Sequence, residues 1–102
     1  MPSQKQIVEK VMHTVSDRGG YPLSAIEFDS EFGDVGLYDI GIRTSLLVLS
    51  DYIKEHKNVS FTKAEFKKAK RVGKLCQLVI KKITDEDASD DDVKALIGDV
   101  QQ

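Results

Sequence analysis

Apolar residues recur along this chain at helical spacing, in four separate stretches. The first is Ile7, Val8, Val11, Met12 and Val15, preceded by Ser3 and Gln6 in the order of a capping box. Arg18 and Gly19-Gly20 then supply a basic last turn and a left-handed stop, so a helix is predicted over about Gln4–Arg18. The second stretch, Ile42, Leu46, Leu49 and Ile53, steps by four, three and four and marks one buried face of a helix over about Asp39–His56, with Lys57-Asn58 as its stop. Gly36 and Gly41 bracket Asp39, which is therefore expected to cap that helix by accepting hydrogen bonds from its first free amides. Leu47 and Val48 lie off the stripe, where polar residues are the rule, and either pack under a loop or belong to a contact surface.

Thr62-Lys63-Ala64-Glu65 is a second capping box, and Phe61 with Phe66 forms a hydrophobic staple across it. Together they predict a short helix over about Lys63–Ala69. Val72, Leu75, Cys76, Val79 and Ile83 predict another over about Arg71–Thr84. Ser89 followed by three aspartates suits a helix start, and Val93, Leu96, Ile97 and Val100 give that fifth helix its apolar face. Between the first two helices, Gly19 to Gly36 keeps no period, and a long irregular connection is expected there. Leu23, Ile26, Phe28 and Phe32 would anchor it in the core. The fold class is all-α: a four-helix bundle with a long loop between helices 1 and 2, a short third helix and an extra C-terminal helix.

Composition fits this scheme. With 102 residues and 40% apolar content the chain supports one modest core, and the organisation expected is a domain at 1–84 with an acidic extension at 85–102. No run approaches the ~20 apolar residues of a membrane span, and MPSQKQ lacks an apolar signal core, so a cytoplasmic monomer is expected. The net charge of −2 is unevenly spread. Residues 1–53 hold eight acids and four bases, 54–82 two acids and ten bases, and 83–102 seven acids and one base, giving −4, +8 and −6. The basic segment is either a solvated face partly neutralised by the acidic tail or a docking face for an acidic partner.

Little catalytic chemistry is visible. The histidines stand far apart in sequence, His13 falls off the apolar stripe, and Cys76 sits in an apolar pattern with no thiol partner or metal-ligand cluster. No nucleophile is paired with a base, so no enzyme is predicted. The run Asp85–Asp92 lacks the glycine and the ligand spacing of a calcium loop, and no metal site is expected.

The order helix, long anchored loop, helix, short helix, helix resembles the acyl carrier protein family. Phe32-Gly33-Asp34-Val35-Gly36-Leu37-Tyr38-Asp39-Ile40 is similar to the family's carrier-site pattern F-x-D-L-G-x-D-S-L without a gap, and Arg71-Val72-Gly73-Lys74-Leu75 to the T-V-G-D-L that opens its last helix. The similarity covers about residues 3 to 84. In that family the serine carries a phosphopantetheine arm through a phosphodiester; here the aligned residue is Asp39, and Tyr38 replaces the aspartate before it. A carboxylate has no hydroxyl to form that bond, so phosphopantetheine is predicted to be absent. The resemblance then implies a non-loadable protein-binding or regulatory module whose partner is a protein, such as an enzyme of lipid or polyketide metabolism. Asp39, Ile40, Arg43 and Leu47 are the expected footprint. Asp39 would act there as a helix cap, as a mimic of the phosphate of a loaded carrier, or as both.

Family members commonly present acidic residues along helix 2, whereas Arg43, Thr44 and Ser50 stand here beside Asp51, which weakens that mode of steering. Two alternatives remain. One is a functional carrier in fatty-acid or polyketide-type synthesis with an unrecognised attachment site, although Ser45 falls inside the second helix, about a turn and a half past the carrier position, and the Gly33 and Gly36 that follow Ser30 argue against a helix starting there. The other is a small helical nucleic-acid-binding module using Lys63, Lys67, Lys68, Lys70, Arg71, Lys74, Lys81 and Lys82, against which stand the absence of interleaved aromatics and the acidic tail.

Overall fold

A computed structural model describes residues Met1–Gln102 as five α-helices: α1 Gln4–Gly19, α2 Asp39–His56, α3 Lys63–Ala69, α4 Val72–Thr84 and α5 Asp90–Val100. The chain is all-α, its only β pairing an isolated bridge between Glu31 and Arg71. The local start and stop signals act as their chemistry requires. Ser3 Oγ accepts the Gln6 N–H while Gln6 accepts the Ser3 N–H, and Thr62 and Glu65 repeat the exchange at α3. Ser89 Oγ caps α5 by accepting from Asp92 N–H, and Gly20 closes α1 at φ 79°.

α1 lies against α2, α4 and α5, and α4 in turn against α2, α3 and α5. One apolar cluster takes side chains from all five helices, among them Ile7 and Val11 of α1, Leu49 and Ile53 of α2, Phe66 of α3, and Leu75 and Val79 of α4. At about 1.5–3 kcal/mol for each large apolar side chain fully buried, this cluster is the main favourable term in folding. The segment 85–102 contributes to it too, since Val93, Ile97 and Val100 of α5 are buried in the same cluster. Gln101 extends that attachment, its amide donating to the carbonyls of Leu23 and Ile26 at 3.0 and 2.7 Å.

The connection 20–38 differs from the irregular loop expected. It contains two 3₁₀ turns, Leu23–Ala25 and Phe32–Val35. Glu31 N–H donates to the Asp34 carboxylate at 3.0 Å and Asp34 N–H to the Glu31 carbonyl at 3.0 Å, which suffices to hold one tight turn that has no apolar period to announce it. Ile26, Phe28 and Phe32 are buried as anchors and Leu23 half-buried. Backbone bonds fix the connection to the start of α4: Val72 N–H donates to Ser30 carbonyl and Gly73 N–H to Phe28 carbonyl, at 2.9 and 2.8 Å. Those two amides would otherwise be orphans of the α4 N-terminus, so the loop serves as that helix's cap.

The return into α2 depends on a close backbone crossing. A Cβ on Gly19 would overlap the Val35 carbonyl oxygen, and one on Gly36, whose φ is 80°, would overlap the Gly19 carbonyl oxygen. The end of α1 and the start of α2 are thereby held together.

Candidate functional site

The start of α2 follows from this crossing, and it corrects the reading of Asp39. Tyr38 is the capping position, with extended backbone (φ −108°, ψ −166°), and Ile42 N–H donates to its carbonyl at 2.7 Å. Asp39 is thus the first helical residue, and no side chain caps α2. A first-turn carboxylate still gains about 0.3–1 kcal/mol from the helix dipole, but Asp39 lacks the extended backbone that lets a cap side chain reach the second and third amides.

Asp39, Ile40, Arg43 and Leu47 are all exposed, Ile40 at 75% and Leu47 at 62%. Spacings of three and four put Ile40, Arg43 and Leu47 in one line along α2, with Asp39 a turn before Arg43. Tyr38, 69% exposed, extends this face, and its hydroxyl donates to the Gly33 carbonyl at 3.2 Å, which turns the ring back over the second 3₁₀ turn. An open groove of about 570 Å³ runs beside it, lined by Asp17, Arg18, Tyr38, Asp39, Ile40 and Thr44 together with glycines. Asp17 and Arg18 carried no sequence signal for this site, because only the Gly19–Gly36 crossing brings the end of α1 to α2. Tyr38 was legible as a departure from the carrier pattern, though not as exposed apolar surface.

The buried face of α2 also differs from expectation. Ile42, Ser45, Leu49 and Ile53 are buried, and Leu46 is only half-buried. Ser45 Oγ is enclosed and has no hydrogen-bond partner, an arrangement that costs about 1–3 kcal/mol. Ser30 is held in a turn, its Oγ accepting the Glu27 N–H at 2.9 Å.

Far apart in sequence, His13 and His56 line one open groove with Glu9, Lys10 and Tyr52. His56 meets the Tyr52 ring edge-on at 5.1 Å, and Lys10 lies 5.6 Å from the centre of the same ring. Burial, with the carboxylates of Glu55 and Glu9, raises the Tyr52 phenol above its usual pKa. No cluster of three or more histidine, cysteine or carboxylate side chains stands close enough to hold a metal ion. Cys76 is fully buried, and burial pushes its thiol up to about 12, so it carries no thiolate at neutral pH.

The acidic tail neutralises part of the basic segment. Lys57 pairs with Asp85, Lys74 with Asp90 at 3.0 Å, and Lys81 with Asp87 at 3.3 Å. Lys82 pairs with Glu65 at 2.8 Å and Arg71 with Glu31 at 3.6 Å. Hydrogen bonds hold three of these carboxylates below their usual range: from Lys82 and Thr62 on Glu65, from Lys57 on Asp85, and from Gln77 and Lys74 on Asp90. A carboxylate lowered in the folded state adds stability above its unfolded pKa and loses it as pH falls through the folded one. The melting temperature is accordingly expected to fall as pH drops below the ordinary carboxylate range, with a shallower fall in Glu65→Gln. A melting temperature flat through that range would contradict these assignments. Most of these groups are exposed, Lys57, Lys82 and Glu65 being half-buried, and each pair is a small term at neutral pH.

Comparison with protein-family models, with curated proteins and with solved structures returns no match. No helix is long and apolar enough to cross a membrane.

Proposed function

We propose that this chain is an acyl-carrier-protein-like module that docks a protein partner through the first turns of α2 and carries no phosphopantetheine. The observation that carries the reading is the exposed line Ile40, Arg43 and Leu47 beside Asp39, two large aliphatic side chains held in solvent where the carrier resemblance places a recognition helix. Exposed apolar side chains grouped around a few charges are what partner surfaces are made of. Of the other hydroxyls weighed as attachment points, that of Ser45 is enclosed by the core and that of Ser30 is engaged in a turn, and a transferase needs a displayed one.

Intact-mass measurement after treatment with a broad-specificity phosphopantetheinyl transferase tests the absence of the cofactor. No added mass is expected, and a gain of one phosphopantetheine would overturn this half of the reading. Affinity capture tests the rest: a partner retained by the native chain is expected to be lost with Ile40→Asp/Leu47→Asp at an unchanged melting temperature. Asp39→Ser is expected to keep the fold and to lose the partner only where the carboxylate stands in for a phosphate.

A further inference from the structure

Four of the ten basic residues between 54 and 82 stand together without a carboxylate. Lys63, Lys67, Lys68 and Lys70 are exposed and make no ion pair; of the other six, Lys57, Arg71, Lys74, Lys81 and Lys82 are each matched within the chain, and only Lys54, away on α2, is likewise unpaired. Between α3 and α4 lies a groove of about 330 Å³ lined by Glu65, Lys68, Ala69, Lys74 and Leu78. Its apolar floor is Ala69 and Leu78, both half-buried against the core. Glu65 is engaged by Lys82 and Lys74 by Asp90, which leaves Lys68 as the free charge at the rim.

Lys70 marks the turn out of α3 in an uncommon way. Its φ of 66° and ψ of −37° lie outside the ordinary regions, and Arg71 N–H donates to the Ala69 carbonyl at 2.8 Å, closing a three-residue γ-turn of the strained hand. A lysine at such a position costs free energy that glycine would largely avoid. The fold holds it there, with an exposed cation next to the groove.

We propose that this face is a second docking surface, distinct from the α2 face, and that its occupant is an acidic segment of a partner protein with an aliphatic side chain to place in the groove. Charge complementarity supports that occupant, because the neighbouring lysines of α4 already hold an acidic stretch of this same chain, Lys81 on Asp87 and Lys74 on Asp90. On α3 the same chemistry continues in Lys63, Lys67, Lys68 and Lys70, to which no carboxylate of the chain is paired, Glu65 being engaged by Lys82. Nucleic acid fits less well. The nearby aromatics Phe61 and Phe66 are buried and offer no ring to stack a base.

The test uses the full chain and fluorescence anisotropy with a labelled peptide of glutamates carrying leucine at helical spacing, beside a single-stranded oligothymidylate of equal net charge. The peptide is expected to bind, and to bind less as salt rises. Lys67→Glu/Lys68→Glu is expected to weaken it by about tenfold or more, while Lys5→Glu, on exposed α1 surface, changes it by less than about twofold. Circular dichroism of the double variant should match the native chain, since both positions are exposed. Three results would each overturn the proposal: no peptide binding at low salt, a double variant that binds the peptide as the native chain does, or tighter binding of the oligothymidylate than of the peptide.

Discussion

Gly36→Ala is expected to cost about 3–4 kcal/mol, and Gly20→Ala only about 1 kcal/mol, although the two glycines share almost the same backbone conformation, at φ 80° and 79°. The difference lies in what surrounds them. Around Gly20 a Cβ meets nothing, so alanine suffers only the left-handed penalty. At Gly36 it meets the backbone of Gly19, and a backbone atom fixed by α1 cannot swing aside as a side chain would. Relief requires the end of α1 and the start of α2 to separate. That would move Tyr38, Asp39 and Ile40, so Gly36→Ala should also weaken binding at the proposed α2 docking face. Urea unfolding of both variants, with midpoints compared at constant slope, measures the contrast. Equal losses would show that the crossing is looser than described.

Phe66→Ala is the second large effect, expected at about 3–5 kcal/mol, a considerable share of the 5–15 kcal/mol that usually separates native from unfolded chains. Phe66 is fully buried, and its ring lies 5.1 Å from that of Phe32 and 5.9 Å from that of Phe61. It therefore joins three otherwise separate pieces: the second 3₁₀ turn, the approach to α3, and α3 itself. Seven residues are too few for a helix to persist alone, and α3 depends on this contact and on its capping box. Truncation should loosen α3 before the rest, which amide exchange would report as lost protection over 63–69 ahead of α1 and α4. Uniform loss of protection would argue instead that α3 is inseparable from the core.

Much of the fold was legible because its signals are local. Ser3 with Gln6, Thr62 with Glu65, Phe61 with Phe66, and Ser89 each announce a helix start through residues within a few positions of one another, and each acts as expected. The expectations that failed depended on neighbours distant in sequence. Leu46 gave up the central place on α2 to Ser45 because helix rotation is set by what packs against it, and nothing in the run Thr44 to Leu47 records that. Tyr38 took the capping position because the chain arrives from the glycine crossing already extended. A left-handed lysine at position 70 has no sequence mark at all, since the usual sign of positive φ is glycine or asparagine. The exposed positions Asp39, Ile40, Arg43 and Leu47 of α2 could be named from sequence, while Asp17, Arg18 and the groove they share could not.

The amide of Gln101 reaches carbonyls 78 and 75 positions earlier in the chain, and α5 packs along α1. While a ribosome is still making this chain, α1 emerges long before the helix that covers one of its sides, and part of its apolar surface has nothing to rest against until residues near 100 appear. Such long-range closure slows folding relative to a bundle of successive hairpins. The native topology is therefore completed only after nearly all of these residues have been synthesised.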